Sequence, residues 1–345
     1  MSIDKRLNLL VRRIFMASLL CLTAGAGLDS SATGKPDPYL RPAAVPVPPD
    51  NALTPERVEL GKALFFDPRL SSSRWISCAS CHNPALGWSD GLPTAIGDGM
   101  KKLPRATPTV LNVAYSKILM WDGRAATLED QATGPIKAES EMNQDMDILV
   151  ERLVAIRGYR KMFERAYPGE GITETTIAKA LASFQRTVVA ADSPFDRWHA
   201  GDEKAVDESV KRGFRLFTGK AKCDVCHEGF NFTDDGFHNI GLKTPKGMSE
   251  DVGRYAQRKV NINKGAFKTP TLRDVALTGP YMHNGIYKAL EDVIDHYDRG
   301  GDVKHSLDPN MERLDLTSQE KQDLVSFLKS LTGDPVQVTI PLLPQ

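Results

Sequence analysis

The pentapeptide Cys-x-x-Cys-His occurs twice in the chain, as Cys78-Ala79-Ser80-Cys81-His82 and as Cys223-Asp224-Val225-Cys226-His227. This spacing is the sequence signature of c-type haem attachment, because two thiols can add across the haem vinyl groups while the adjacent imidazole reaches the iron. Two copies predict two covalently bound haem c groups, held by Cys78, Cys81, Cys223 and Cys226, with His82 and His227 as proximal iron ligands. A zinc knuckle would need more ligands nearby, and a thioredoxin-like pair has no use for the following His or for a second copy. Of the five cysteines only Cys21 is left over. Stability must therefore come from core packing and the haems, with no disulfide framework to help.

The 345 residues suffice for two domains of ordinary size, and 41% hydrophobic content supports a real core. Lys plus Arg and Asp plus Glu both total 44, so no basic excess points to nucleic acid. Lys5, Arg6, Arg12 and Arg13 precede the apolar run from Ile14 to Leu22 and the small residues Ala24, Gly25 and Ala26. That order predicts a secretory signal peptide over 1–27 and export to the periplasm, where c-type attachment is completed in bacteria. The apolar run is short for a membrane span, and no other segment approaches the length, so the mature chain is expected to have none.

Residues 28–51 form a Pro-rich leader, with Pro36, Pro38, Pro42, Pro46, Pro48 and Pro49 resisting helix and sheet alike; it is expected to wrap onto the first domain. A helix follows, with Thr54 as N-cap, Pro55 at the first helical position and Val58, Leu60, Leu64 and Phe65 apolar, ending near Asp67-Pro68. From 90 to 108 the chain is a Gly- and Pro-rich loop expected over the first haem. Helical patterns cover about 145–166, 174–190 behind Thr173, and 203–218, the last delivering Cys223. After a looped stretch from 229 to 287 come a short helix at about 289–297 and a final one opened by the capping box Thr317-Ser318-Gln319-Glu320. No β alternation of useful length occurs, and the flanks of the two motifs do not look alike. The fold class is mostly α, two c-type cytochrome-like haem lobes with long loops, divided into an N-terminal haem domain at 52–200 and a C-terminal one at 201–345.

Two haems alone fit either an electron carrier, which fills both axial positions of each iron, or a catalyst, which leaves one open. The histidines outside the motifs are His199, His238, His283, His296 and His305. None can be assigned as a ligand by presence alone.

Two long segments carry a resemblance. Trp121-Asp122-Gly123-Arg124-Ala125-Ala126-Thr127-Leu128-Glu129-Asp130-Gln131, continuing to Gly134-Pro135-Ile136 and Glu141-Met142, is similar to the catalytic segment of bacterial di-haem cytochrome c peroxidases. So is the stretch from Phe267 to Gly285, through Pro280-Tyr281-Met282-His283-Asn284. The similarity runs from about residue 52 to 333, and the family includes both ordinary peroxidases and the MauG-type oxidases of methylamine utilisation. The resemblance implies that Glu141 is the distal acid-base residue above the first haem, that Gln131 is its polar partner, and that Trp121 lies between the haems. Peroxide cleavage asks for a group that takes a proton from one oxygen and returns it to the other, work suited to a carboxylate at an open site.

Two positions separate the family's branches. Ordinary peroxidases block the first iron with a histidine sixteen residues beyond its proximal one; here that place holds Asp98, and the loop contains no histidine. The first haem is thus expected to be five-coordinate. Ordinary peroxidases also use a methionine as sixth ligand of the second haem where this chain has Tyr297, as the oxidase branch does. A phenolate oxygen favours high oxidation states, whereas a thioether favours reduced iron. His296 is the chief competitor, with Met282 and Met311 weaker ones, and His296 and Tyr297 point about 100 degrees apart on a helix, so at most one faces the iron.

Two further matches fail. The oxidase's surface tryptophan two residues before the second motif is Ala221 here, leaving Trp198 and other aromatics as substitutes. The family's inter-haem Ca2+ would map to the carbonyls of Thr278 and Pro280 and to a side chain at Ala106, which has no oxygen to offer.

The resemblance implies a periplasmic di-haem enzyme of the oxidoreductase class that uses hydrogen peroxide to oxidise a protein substrate, maturing the tryptophan tryptophylquinone cofactor in the precursor of methylamine dehydrogenase. The first alternative is a cytochrome c peroxidase drawing electrons from a small cytochrome c or cupredoxin. The second, of another class, is a non-catalytic electron carrier.

Overall fold

The computed structural model describes residues 37–345. The expected signal peptide lies outside the described residues.

Helix α1 (Pro55–Phe66) starts where expected: the Thr54 hydroxyl accepts from the Arg57 N–H, and Pro55 takes the first helical position, where its missing donor costs nothing. One turn, α2 (Cys78–Cys81), carries the first motif. Short helices α3 (Leu128–Ala132) and α4 (Gly134–Lys137) follow. The pattern at 145–166 resolves into two helices, α5 (Met146–Ala155) and α6 (Arg157–Ala166), because Ile156 leaves helical geometry with φ −87° and ψ 111°. Thr173 caps α7 (Glu174–Gln185), which ends earlier than the periodicity predicts. There the backbone is claimed by Asn112: its N–H donates to the Val188 carbonyl, and its side-chain oxygen accepts from the Ala190 N–H.

The second half begins with α8 (Pro194–His199), a Ser193-capped helix that the sequence pattern did not predict. Helix α9 (Glu208–Phe217) starts at the Asp207 cap, five residues later than expected. The second motif is followed by a two-residue antiparallel pair, β1 (Phe237–His238) with β2 (Phe267–Lys268), in the register Phe237 to Lys268 and His238 to Phe267. The order closes with α10 (Leu290–Asp298) and α11 (Ser318–Ser330), the latter held by the Thr317–Glu320 capping box. Among the described residues no helix is long and apolar enough to cross a membrane.

Two large apolar clusters form most of the interior of the described residues, beside a small third one of Leu119, Ala125, Leu128 and Ala182. One gathers Leu60, Leu64, Phe65, Tyr159, Phe163, Ile177, Leu181 and Phe184; the other gathers Phe195, Phe217, Phe232, Ile294, Leu324, Phe327 and Leu328. The same device builds both. In the first, α1 crosses α7 at Gly61, where a Cβ would lie 1.9 Å from the Ala180 carbonyl oxygen; in the second, α9 crosses α11 at Gly213, where a Cβ would lie 2.0 Å from that of Asp323. Each glycine lets two backbones touch, so the helix that precedes a haem motif is clamped to the last helix of its cluster.

The leader reaches further than its expected seat on the first half. Tyr39 packs edge-on to Phe195 and Phe214 of the second cluster, while Arg41 donates to the Ala190 carbonyl at 2.6 Å. The tail returns the other way: Val336 and Val338 pack on the first cluster, Arg69 donates to the Pro344 carbonyl at 3.0 Å, and Gly158 N–H donates to that of Gln345 at 2.7 Å.

Candidate active site

One continuous cavity of about 400 Å³ is lined by both motifs, contributing Cys78, Cys81 and His82 from the first and Cys223, Cys226 and His227 from the second. The two imidazoles are held alike. His82 places Nδ1 3.3 Å from the Trp88 carbonyl and His227 places Nδ1 2.9 Å from that of Phe232, so Nδ1–H donates and Nε2 keeps its lone pair. Burial pushes both below the usual imidazole range, His227 to about 4, which keeps them neutral and able to ligate. Paired thiols, a neutral imidazole beside each, and apolar walls from Phe65, Leu181, Phe217, Leu324 and Leu328 make a donor set that fits two haem c groups.

The structure reveals a repeat that the sequence pattern obscured. Residues 107–135 and 269–297 align without a gap: Thr107-Pro108-Thr109 answers Thr269-Pro270-Thr271, Met120 answers Met282, Gly123 answers Gly285, and Leu128-Glu129-Asp130 answers Leu290-Glu291-Asp292. Their backbones agree. Asn112 and Asp274 are both left-handed, each before a short 3-10 turn, and the bridges Leu119 to Ala125 and Tyr281 to Tyr287 close equivalent loops. The flanks of the motifs are therefore related after all; the repeat begins at different distances from its two motifs, which hid it.

Within this repeat Trp121 and His283 are counterparts, and they meet with ring centroids 6.3 Å apart, edge to face. Trp121 Nε1–H donates to the Ala106 carbonyl at 2.9 Å, and the Trp121 carbonyl accepts from Lys268 N–H, so the indole is pinned by a segment from each half. His283 stacks on Phe267 at 3.5 Å, and burial pushes its imidazole down to about 4. His283 was visible in the sequence only as part of a motif; its partnership with Trp121 needs the repeat.

Gln131, Pro135 and Glu141 all line the cavity, together with Met142. Burial pushes the Glu141 carboxyl above its usual range, with Arg124 pulling the other way. Asp98 does not reach the cavity lining; its N–H donates to the Glu141 carbonyl at 2.7 Å, so the loop that lacks a histidine braces the carboxylate's backbone instead.

Tyr297 also lines the cavity, and burial pushes its phenol well above the ordinary range. A phenolate there needs a cation opposite, which ferric iron would supply. His296 is removed from contention. It is fully buried, with Nδ1 2.9 Å from the Tyr287 hydroxyl and Nε2 2.9 Å from the Ile240 carbonyl, so neither nitrogen is free. Met282 and Met311 do border the cavity. In the repeat the counterpart of Tyr297 is Pro135, which has no ligating atom in its side chain. The same fold position thus offers an oxygen in the second half and nothing in the first.

His238 is a further cavity-lining group that sequence reasoning did not place. Its Nε2 lies 2.9 Å from Asp234 and its Nδ1 2.6 Å from Asp308; the Asp234 carboxylate first, then the Cys226 sulfur and Asp308, push its pKa above the usual imidazole range. Thr278, Pro280 and Ala106 border the cavity as well. The Ala106 carbonyl is taken by Trp121 and its side chain has no oxygen, so these residues make a poor site for a hard cation.

A family model described as di-haem cytochrome c peroxidase matches residues 55–204, and one described as cytochrome c matches 210–332. Methylamine utilization protein MauG of Methylorubrum extorquens is 52% identical over 307 residues, covering 89% of this chain and 86% of that protein. The chain belongs to the di-haem cytochrome c peroxidase family. Like others of the family it is an oxidoreductase that carries haem c. Its MauG relative from Methylophilus methylotrophus is 46% identical over 311 residues, covering 89% of this chain and 91% of that one. Among solved structures, a MauG-like protein associated with microbial copper homeostasis superposes with a TM-score of 0.80 at 33% identity, covering 86% of this chain and 94% of its own.

Proposed function

We propose that the chain is a periplasmic MauG-type oxidase, which uses hydrogen peroxide to oxidise a protein substrate and matures the tryptophan tryptophylquinone of methylamine dehydrogenase. The observation that carries this reading is the pairing of Pro135 with Tyr297 at one position of the internal repeat, both lining the cavity, so that Tyr297 would offer an oxygen to a haem iron in the second half where Pro135 would offer none in the first. The 52% identity to a MauG points the same way.

Cys78 and Cys81 with His82, and Cys223 and Cys226 with His227, would hold the two haems, with thioether bonds to the cysteines. When bound, the haems supply the redox chemistry that cleaves the peroxide bond and stores two oxidising equivalents. Glu141 takes the peroxide proton and returns it to the departing oxygen; its raised pKa brings it nearer the working pH, where a proton shuttle is most effective. The Gln131 amide orients the peroxide beside it. Tyr297 would hold the second haem's iron through its phenolic oxygen, the bound ferric ion offsetting the burial that otherwise keeps the phenol protonated. Trp121 couples the two halves, and its N–H faces a carbonyl that cannot accept a proton, so electron passage there leaves the indole protonated.

The test supplies the diferric holoprotein with stoichiometric peroxide and the precursor of methylamine dehydrogenase. The account expects the absorbance of the matured quinone to grow. Rapid peroxide-driven turnover of a reduced small cytochrome c, with no quinone formed, would favour the peroxidase alternative instead.

A further inference from the structure

A second, smaller recess lies against the outside of the first half. This groove of about 240 Å³ is lined by Trp75, Ile76, Cys81, Asp90, Leu92, Gly97 and Met100. Ile76, Cys81 and Gly97 also line the main cavity, so groove and cavity share part of a wall. Glu141 stands at that wall: a Cβ on Gly97 would lie 1.9 Å from the Ser140 carbonyl oxygen and 2.9 Å from the Glu141 Cα. Trp75 is 61% exposed and Met100 64%, whereas the other large aromatics among the described residues are buried or half-buried.

We propose that this groove is a substrate site for small phenolic electron donors, with Trp75 as the residue that relays their electrons inward. The proposal rests on the peroxide-using reading above and adds a second class of reductant to it. Trp75 offers an exposed indole face on which one ring can stack, while Leu92 and Met100 supply apolar contact, including the sulfur–aromatic contact that methionine makes well. The groove volume falls just below the range of drug-sized pockets and suits a single ring.

Asp90 gives the site its polarity. Its two oxygens accept from the Leu92 N–H at 2.9 Å and from the Thr107 hydroxyl at 2.7 Å, which fixes the carboxylate in the groove with lone pairs to spare. A phenolic O–H can donate to it, and the same oxygen takes the proton as the electron leaves. The balance closes. Each peroxide takes up two electrons and two protons to become two waters. Two phenols each give one electron through Trp75 and one proton through Asp90 to solvent, leaving two phenoxyl radicals that couple outside the protein.

Two variants separate binding from electron relay, with 4-methylphenol as the probe and the holoprotein as the sample. In the resting protein without peroxide, paramagnetic relaxation of the probe's ring protons should be enhanced by the unaltered chain and fall to the free-solution value with Trp75→Ala. With peroxide added, Trp75→Phe, which keeps the stacking face, should slow probe oxidation at least tenfold while the reaction with peroxide alone keeps its rate; Trp75→Tyr should restore most of the oxidation. Equal relaxation with Trp75→Ala, or oxidation by Trp75→Phe within twofold of the unaltered protein, overturns the proposal and leaves the parent reading standing. Failure of the unaltered holoprotein to react with peroxide at all overturns both.

Discussion

In the proposed mechanism Glu141 would serve chemistry at the expense of stability. Its carboxyl is pushed up by burial, so it stays protonated to a higher pH in the folded chain than in the unfolded one. The folded state therefore loses stability as pH rises from the ordinary carboxylate value, about 4.3, through the raised one. Glu141→Gln should accordingly hold or raise the melting temperature at neutral pH. The same change should slow the reaction with peroxide by about 10²- to 10⁴-fold, the usual worth of a positioned acid-base group. In the unaltered protein the rate should climb with pH along a limb centred above 4.3, and Glu141→Gln should abolish that limb; stopped-flow rates across pH check both. None of this was legible from Glu141 alone, which as an isolated residue reads as a solvated charge at a helix start. Burial came from Gly97 and Asp98 folding over its backbone, a contact that spans the loop and leaves no mark in local pattern.

At the scale of elements, the caps were the legible part. Thr54, Thr173 and Thr317 begin α1, α7 and α11 as their side chains predict, because an N-cap satisfies backbone donors using residues only two or three positions away. Helix ends were less legible: α7 stops where Asn112, distant in sequence, captures the backbone beyond it. The crossings at Gly61 and Gly213 were equally hidden, since an isolated glycine inside a helical pattern reads as a weak spot and its value lies in the partner backbone. Gly213→Ala forces a Cβ to 2.0 Å from the Asp323 carbonyl oxygen. It should cost about 1–3 kcal/mol or more and lower the melting temperature of the holoprotein by several degrees, and Gly61→Ala should do likewise. The tail makes a separate contribution. Removing residues 334–345 exposes the surface that Val336 and Val338 cover and frees Arg69 and Gly158, so the truncated holoprotein should melt earlier while its haem spectrum is unchanged.

At the scale of the whole molecule, the chain is built from two halves that share one plan and differ at a few positions. Both halves clamp a motif-bearing segment with a glycine helix crossing, both fix the proximal imidazole through a carbonyl at Nδ1, and both carry the repeat seen at 107–135 and 269–297. The haem motifs and the mostly helical class were legible because they depend on short spacings. The repeat was not, because insertions between motif and repeat put the equivalent segments out of phase, and because Trp121 against His283 and Pro135 against Tyr297 differ at the positions to which the proposal assigns function. Under the proposal that divergence would leave the first haem without a side-chain ligand at this position and the second to Tyr297, with His296 already bonded through both nitrogens. The most direct test is low-temperature electron paramagnetic resonance with near-infrared magnetic circular dichroism on the diferric holoprotein. The account predicts one high-spin haem and one low-spin haem with histidine and tyrosinate as axial ligands, the low-spin signal being lost in Tyr297→Phe. Two low-spin haems, or a methionine charge-transfer band that survives Tyr297→Phe, would contradict it.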